Sequence, residues 1–285
     1  MVLTLGFSPC PNDTFIFDAL VNGHIDTGGL RFEPVLEDVQ TLNEWAKQGR
    51  LDISKISYGV LPKIADRYQV LQSGGALGQG VGPLLISRQQ AAGSWQEMQA
   101  LVNESVIAIP GEDTTAHFLF SQAFPAAAHK VFLRFDAIEQ FVADGKGLGV
   151  IIHENRFTYQ QKGLHKLVDL GDYWEQSTGF PIPLGGIVMQ RRFDTALLQQ
   201  VDDLILQSLQ FAFAHYPTVT DYVRCHAQEM SDDVMRQHIQ LYVNDFSLQL
   251  GPAGRQAVLQ MMRTLAGRPA DEAQLFVPAR PAQRH

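Results

Sequence analysis

The sequence predicts an α/β protein of two lobes with a helical region at its C-terminal end. Three observations carry that reading. Strand and helix patterns alternate from Leu3 to Leu61, the rhythm of a parallel sheet covered by helices. The alternation restarts after residue 88 and closes near residue 187, where the chain runs into a strand suited to a return crossing. Finally, 285 residues with 45% hydrophobic content exceed the size at which a single core stops growing.

Leu3 to Phe7 is a short apolar strand, ended by Ser8-Pro9-Cys10-Pro11, whose prolines cannot continue a ladder. A helix capped by Asn12, Asp13 or Thr14 follows, with Phe15, Phe17, Leu20 and Val21 on its apolar side. Leu30 to Val35 reads as a strand and Val39 to Gln48 as a helix stopped by Gly49. Leu51 to Ser57 alternates as a strand and passes through Tyr58-Gly59-Val60-Leu61 into a further helix. Ser73 to Pro83 is glycine-rich and runs directly into a strand, Leu84 to Ser87. With no helix behind it, Gly78-Gln79-Gly80-Val81-Gly82 fits neither a P-loop nor a dinucleotide fingerprint, and it reads as a hinge or cleft wall.

In the second lobe, Trp95 to Val102 is helical and Ser105 to Ile109 a strand, and Pro110 to Thr115 leads into a helix through Phe118, Leu119 and Phe120. Phe132 to Phe135 reads as a strand, Ala137 to Ala143 as a helix and Gly147 to Ile152 as a strand. Thr178 to Gly186 then runs back into a strand, Ile187-Val188-Met189. Behind a cap at Asp194, residues 195 to 214 set Leu197, Leu198, Val201, Leu204, Ile205, Leu209 and Ala212 at helical spacing, a core stripe. Tyr216-Pro217 breaks that helix, two or three more follow, and a tail rich in Pro, Arg and Gln starts at Gly267. These elements place lobe 1 at residues 1–87 and 188–285, and lobe 2 at 88–187.

Composition narrows the function. Against 22 basic residues stand 30 acidic ones, a net charge of −8 with no Lys/Arg cluster, so the overall field repels nucleic acid and anionic membrane surfaces. No stretch approaches the roughly 18 apolar residues of a membrane span, and Met1 to Gly6 lacks the pattern of a signal peptide, so a cytoplasmic location is expected. Cys10 and Cys225 form no CxxC, zinc ribbon or disulfide framework, and no chemistry considered requires them.

His153 closes the apolar run Leu148 to Ile152, so a titratable imidazole sits where a buried strand emerges at its sheet's edge. Ligands of open α/β sheets bind beyond the carboxyl ends of the strands, and imidazole can take up and return a proton near working pH. Four strand ends carry hydroxyls or acid/base groups beside a turn: Ser8 with Asn12, Lys55 with Ser57, Thr114 with Thr115, and His153 with Glu154. Helix N-termini from two lobes facing one crevice would hold a small anionic, oxygen-rich ligand. His117, His129, His165, His215, His226 and His238 share no metal-ligand spacing and are assigned to helix faces and loops, so no metal is expected. Ser8 lacks a GxSxG elbow, and Arg156 reads as a loop arginine pairing with surface acids.

Gly6 to Phe15, Ser73 to Gly78 with Gly80 to Pro83, and Ile151-Ile152-His153-Glu154 with Arg156 to Tyr159 together closely resemble the 1,4-dihydroxy-6-naphthoate synthase family of the futalosine route to menaquinone. The resemblance extends to Glu33 through Val39 and to Tyr242 through Ser247; residues 88–104 and 266–285 show no family motif. It implies the two-lobed fold of periplasmic binding proteins of the second type, with two chain crossings. It also implies cleavage of cyclic dehypoxanthinylfutalosinate to 1,4-dihydroxy-6-naphthoate and a dihydroxyacetone fragment, without metal or organic cofactor. By the same resemblance, His153 accepts the proton, and Lys55, Ile56, Ser57, Thr114 and Thr115 contact substrate; Ser8 and Asn12 join them from the strand-end reading. Glu154 or a backbone carbonyl would fix the His153 tautomer. The fold also hosts solute receptors, and a chorismate dehydratase is the rival enzyme of the same pathway.

Overall fold

The computed structural model describes residues 1–90, 93–227 and 231–278. The chain opens with strand β1 (Val2–Phe7), helix α1 (Pro11–Val21), strand β2 (Arg31–Leu36), helix α2 (Val39–Gln48) and strand β3 (Ile53–Ser57). Cys10 is the N-cap of α1 and Pro11 its first residue, so the helix starts earlier than a cap at Asn12, Asp13 or Thr14 would allow. Proline's fixed φ and missing N–H suit that first position, and Asn12 and Asp13 are freed for other contacts. Gly49 ends α2 at φ 67, a left-handed conformation that a side chain would strain.

Helix α3 (Leu61–Ile64) precedes two three-residue strands that sequence patterning missed, β4 (Tyr68–Val70) and β5 (Ala76–Gly78). There follow β6 (Leu84–Ser87), α4 (Trp95–Glu104), β7 (Ile107–Ile109), α5 (Thr115–Ala123), β8 (Lys130–Phe132), α6 (Ile138–Ala143) and β9 (Leu148–Ile151). The strand expected at Phe132 to Phe135 lies earlier, at β8, and Phe135–Ala137 is a turn of 3-10 helix. Next come α7 (Asn155–Thr158), β10 (His165–Asp169), α8 (Leu170–Thr178) and β11 (Ile182–Gln190). The remainder is helical: α9 (Thr195–His215), α10 (Asp221–His226), α11 (Asp232–Tyr242), α12 (Asp245–Leu248), α13 (Gly251–Ala266) and α14 (Glu272–Leu275).

Two sheets form. The first runs β2-β1-β3-β11-β4, with β5 also on β11; the second runs β10-β6-β9-β7-β8. The parallel rhythm holds for β1 with β2 and β3, and for β7 with β8 and β9. Both sheets are nonetheless mixed, because β11 pairs antiparallel with β3, β4 and β5, and β6 pairs antiparallel with β9 and β10. A strand that arrives from the other lobe needs no βαβ crossover, so it is free to pair antiparallel. The chain passes between the sheets after β5 and again before β11. Since β6 pairs in the second sheet and the whole of β11 in the first, we propose a lobe division at residues 79–83 and 179–181 rather than at 87 and 187.

Helix α9 buries Leu198, Val201, Leu204, Ile205 and Leu209, each at 4% exposure or less, in one cluster with Phe15, Ile16 and Leu20 of α1. Each such side chain contributes about 1.5–3 kcal/mol. Ser208 pins the two helices, donating to Ile16 O at 2.6 Å and accepting from Leu20 N at 3.2 Å. The tail is docked as far as it is described: Val277 N donates to Val70 O at 2.9 Å, and Leu275, Phe276 and Val277 are buried. Among the described residues no helix is long and apolar enough to cross a membrane.

Candidate active site

A pocket between the two sheets is lined by Ser8, Asn12, Lys55, Ile56, Ser57, Thr114, Thr115 and His153, which are all of the residues that the sequence assigned to a site. Each sits where a strand ends or a helix begins. Ser8 follows β1, Lys55 to Ser57 close β3, Thr114 caps α5, and His153 follows β9 by two residues. Asp13, Ala76, Val81, Pro83, Leu184 and Tyr242 also contribute walls, so part of the glycine-rich stretch is a cleft wall.

Asp13, which the sequence reading treated only as a cap, organises the floor. Its carboxylate accepts from Ser8 N at 3.1 Å, Ser8 Oγ at 2.7 Å and Asn12 Nδ2 at 2.8 Å, and it pairs with Lys55 Nζ at 3.0 Å. Lys55 also donates to Gly74 O at 2.9 Å, with both members of the pair nearly inaccessible. The Lys55 charge is therefore largely neutralised within the protein, and attraction for an anionic ligand falls to free N–H groups and helix N-termini.

Asn43 of α2 fixes Ser57, accepting from its N at 2.9 Å and donating to its Oγ at 3.2 Å. The Thr114 hydroxyl donates to Gly111 O at 2.9 Å and accepts from His117 N at 3.2 Å, which is a helix cap. The Thr115 hydroxyl donates to Leu184 O at 2.7 Å and accepts from Gly59 N at 3.1 Å, tying α5 to the first lobe. A Cβ on Gly59 would come within 2.7 Å of the Thr114 backbone, so only glycine permits this approach.

His153 is a non-glycine residue at φ 56, a left-handed position that turns the chain off β9 and sets the ring against the pocket. Its ring meets Phe135 edge-on at 5.0 Å and lies parallel to the His238 ring at 6.1 Å. Burial pushes this imidazole below its ordinary value, against the opposing pull of Glu154 and Asp13. Glu154 makes no hydrogen bond to the ring.

Packing adds to three of the sequence readings. His238 belongs to the site region: it is fully buried on α11, and its Nε2 lies 2.8 Å from Asn12 Oδ1. The Arg156 guanidinium pairs with Asp169, a buried acid, at 2.8 Å, and donates to the carbonyls of Gly80 and Gly82 on the first crossing. Cys10, set aside on sequence spacing, lies with its Sγ, a His153 ring nitrogen and a Glu154 oxygen all within 4.8 Å of one another. These contacts join residues far apart in the chain, so sequence spacing could not reveal them. The signal for His238 was a histidine in a helical stretch, which sequence spacing assigns to helix faces and loops.

Residues 3–267 match a family model described as menaquinone biosynthesis. A protein of Thermus thermophilus named 1,4-dihydroxy-6-naphtoate synthase is 47% identical over 260 residues, covering 91% of this chain and 92% of that protein. One of the same name from Streptomyces coelicolor is 41% identical over 270 residues, covering 93% of each. Among solved structures, a protein of Archaeoglobus fulgidus is 26% identical with a TM-score of 0.85, over 93% of this chain and 97% of that one. The periplasmic aliphatic sulphonate binding protein of Escherichia coli, 11% identical with a TM-score of 0.65 over 100% and 94%, shares the fold.

Proposed function

Since the chain belongs to the menaquinone-biosynthesis family, we propose that its interlobe pocket carries out the carbon-carbon lyase reaction of its relatives, with His153 as the proton acceptor. The reaction converts cyclic dehypoxanthinylfutalosinate to 1,4-dihydroxy-6-naphthoate and a dihydroxyacetone fragment. Aromatisation of the new ring supplies the driving force, so the protein's part is to bind, orient and accept a proton.

The observation that carries this reading is one neutral-leaning imidazole in the pocket lining, among residues from both sheets. Ser8, Asn12, Lys55 and Ser57 bound the pocket from the first lobe, Thr114 and Thr115 from the second. With the threonine hydroxyls engaged in capping and interlobe bonds, the free N–H groups of the first turn of α5 are what that end offers to a carboxylate. His153 takes the substrate's acidic proton at a ring nitrogen and, as imidazolium, can return it to the departing fragment.

Replacing His153 with Ala should lower kcat by about 10²- to 10⁴-fold with KM little changed, read from the naphthoate chromophore. Turnover near wild type in folded H153A removes His153 from the mechanism.

A further inference from the structure

Cys10, His153 and Glu154 each offer one ligand atom, and these three atoms lie within 4.8 Å of one another. Among the described residues no other three His, Cys, Asp or Glu side chains do so. Cys10 is the N-cap of α1, just beyond a strand of the first sheet. His153 and Glu154 are consecutive residues beyond β9 of the second, where the left-handed turn at His153 sets them. The Cys10 thiol donates a hydrogen bond to the Glu154 carboxylate, and burial, then the charge of Glu154, hold that thiol well above its usual range. Neither Glu154 oxygen meets an N–H or O–H donor, although the residue is only 5% exposed. Buried carboxylates are rarely left with so little. A further lone pair stands open at the same place. His238 Nδ1, fully buried, has no hydrogen-bond partner and lies 3.8 Å from Glu154 Oε2, too far for a hydrogen bond. A thiol, an imidazole and an unsatisfied carboxylate at this spacing are the donor set of a zinc-type dication.

We propose that Cys10 Sγ, a ring nitrogen of His153 and a Glu154 oxygen form an inhibitory site for Zn²⁺. On binding, metal bonds to sulfur, nitrogen and oxygen form, the thiol S–H bond breaks, and its proton leaves to water; no electron is transferred. The metal takes the place that the proton holds between sulfur and carboxylate. Charge favours this exchange, because Zn²⁺ with one thiolate and one carboxylate sums to zero. The neighbouring Lys55–Asp13 pair does so already, and no net charge is buried. Ligand atoms around tetrahedral zinc stand about 3.3–3.6 Å apart, so shifts of roughly 1 Å or less in each side chain close the set. Of the three residues only His153 lines the pocket, and the metal enters past its ring. A site with three protein ligands keeps a water, for which His238 Nδ1 is an acceptor at hand. Thiolate and imidazole select Zn²⁺ or Co²⁺ over Mg²⁺ and Ca²⁺, which prefer oxygen ligands. Inhibition rests on His153 being the base: a neutral imidazole has one ring lone pair, and the metal occupies it.

Co²⁺ alone, added to the metal-free wild-type protein, reads the site without turnover. One equivalent per chain is expected to give the visible bands of four-coordinate cobalt and a thiolate-to-cobalt charge-transfer band. That band should vanish in C10A and persist in C225A, since Cys10 and Cys225 are the only cysteines. Zn²⁺ should abolish the spectrum at one equivalent, whereas a large excess of Mg²⁺ should leave it. Absence of the thiolate band, or its survival in C10A, overturns the site. C10A and E154A should each weaken zinc binding by more than the about 10- to 100-fold that loss of a supporting partner costs. Wild-type affinity in either folded variant overturns the ligand assignment. Zn²⁺ should also stop wild-type turnover over the concentrations at which it displaces cobalt, with a chelator restoring activity and each variant measured against its own metal-free rate. A loaded site with undiminished turnover overturns the inhibition and counts against His153 as the base. Activity lost in H153A with no cobalt spectrum in wild type keeps the base and removes only the metal site, so the two failures are told apart.

Discussion

The pH behaviour of this site is decided at one imidazole. Burial disfavours the charged His153 ring and outweighs the acids that favour it, so its value lies below the ordinary 6.5. The sign follows directly: above that depressed value the ring is the free base, and activity is lost only as pH falls through it. The profile of kcat/KM should therefore rise to a plateau whose acid limb lies below 6.5 and is absent in H153A. A limb above 6.5 that tracks His153 would contradict this assignment. His153, Ser8, Lys55 and Thr114 were legible because each lies at or just beyond the end of a strand pattern or precedes a helix pattern. Asp13, Cys10 and His238 were not, because their roles come from packing: Asn12 and His238 meet across 226 residues.

Helix starts decide how the second lobe presents its dipole. Thr114 caps α5 in the standard way, accepting from His117 N while its own hydroxyl is tied to Gly111 O. T114A should lower the stability of the protein by about 1 kcal/mol, and T114S should restore it. Thermal melts of the two variants check this, and an unchanged midpoint in T114A would show that the hydroxyl is not capping. Elements with strong periodicity or punctuation were readable from the sequence: α2 ends at Gly49 as expected, and the expected cap of α9, Asp194, accepts from Leu197 N at 2.8 Å. The strands β4 and β5 escaped because three residues carry no period, and β5 lies within a glycine-rich run. Helix α8 escaped too, since its start at Leu170 directly follows strand β10 with no polar punctuation beyond Asp169, which caps it.

At the scale of the molecule, two lobes are held over the pocket by a small set of bonds. Asp113, beside the cap of α5, pairs with Lys47 Nζ at 2.6 Å and with Lys63, both from the first lobe. Its N–H donates to Gln40 Oε1 at 3.2 Å, and Asn43 Nδ2 donates to its carbonyl at 3.3 Å. Sequence could give the two lobes but not this clamp, whose partners lie 66 and 50 residues apart. The Asp113 side chain is 1% exposed whereas Lys47 and Lys63 are 29% and 53% exposed, so water screens part of the attraction. D113N should therefore cost about 1.5 kcal/mol of stability. Because the same bonds bring Ser57 toward Thr114, the larger effect is on ligand capture: KM should rise about tenfold, equivalent to about 1.4 kcal/mol, with kcat less changed. Burial alone would raise the Asp113 carboxyl, but its bonds to Lys47 and Lys63 bring it below the ordinary 3.8. A depressed acid stabilises above its unfolded value and loses that contribution only as pH falls through the lower folded one. The clamp is consequently constant across neutral pH, and the KM difference between D113N and wild type should be the same throughout that range. Small-angle scattering of the unliganded D113N protein should show a larger radius of gyration that ligand restores; a wild-type radius together with a wild-type KM would mean that Asp113 does not hold the lobes closed.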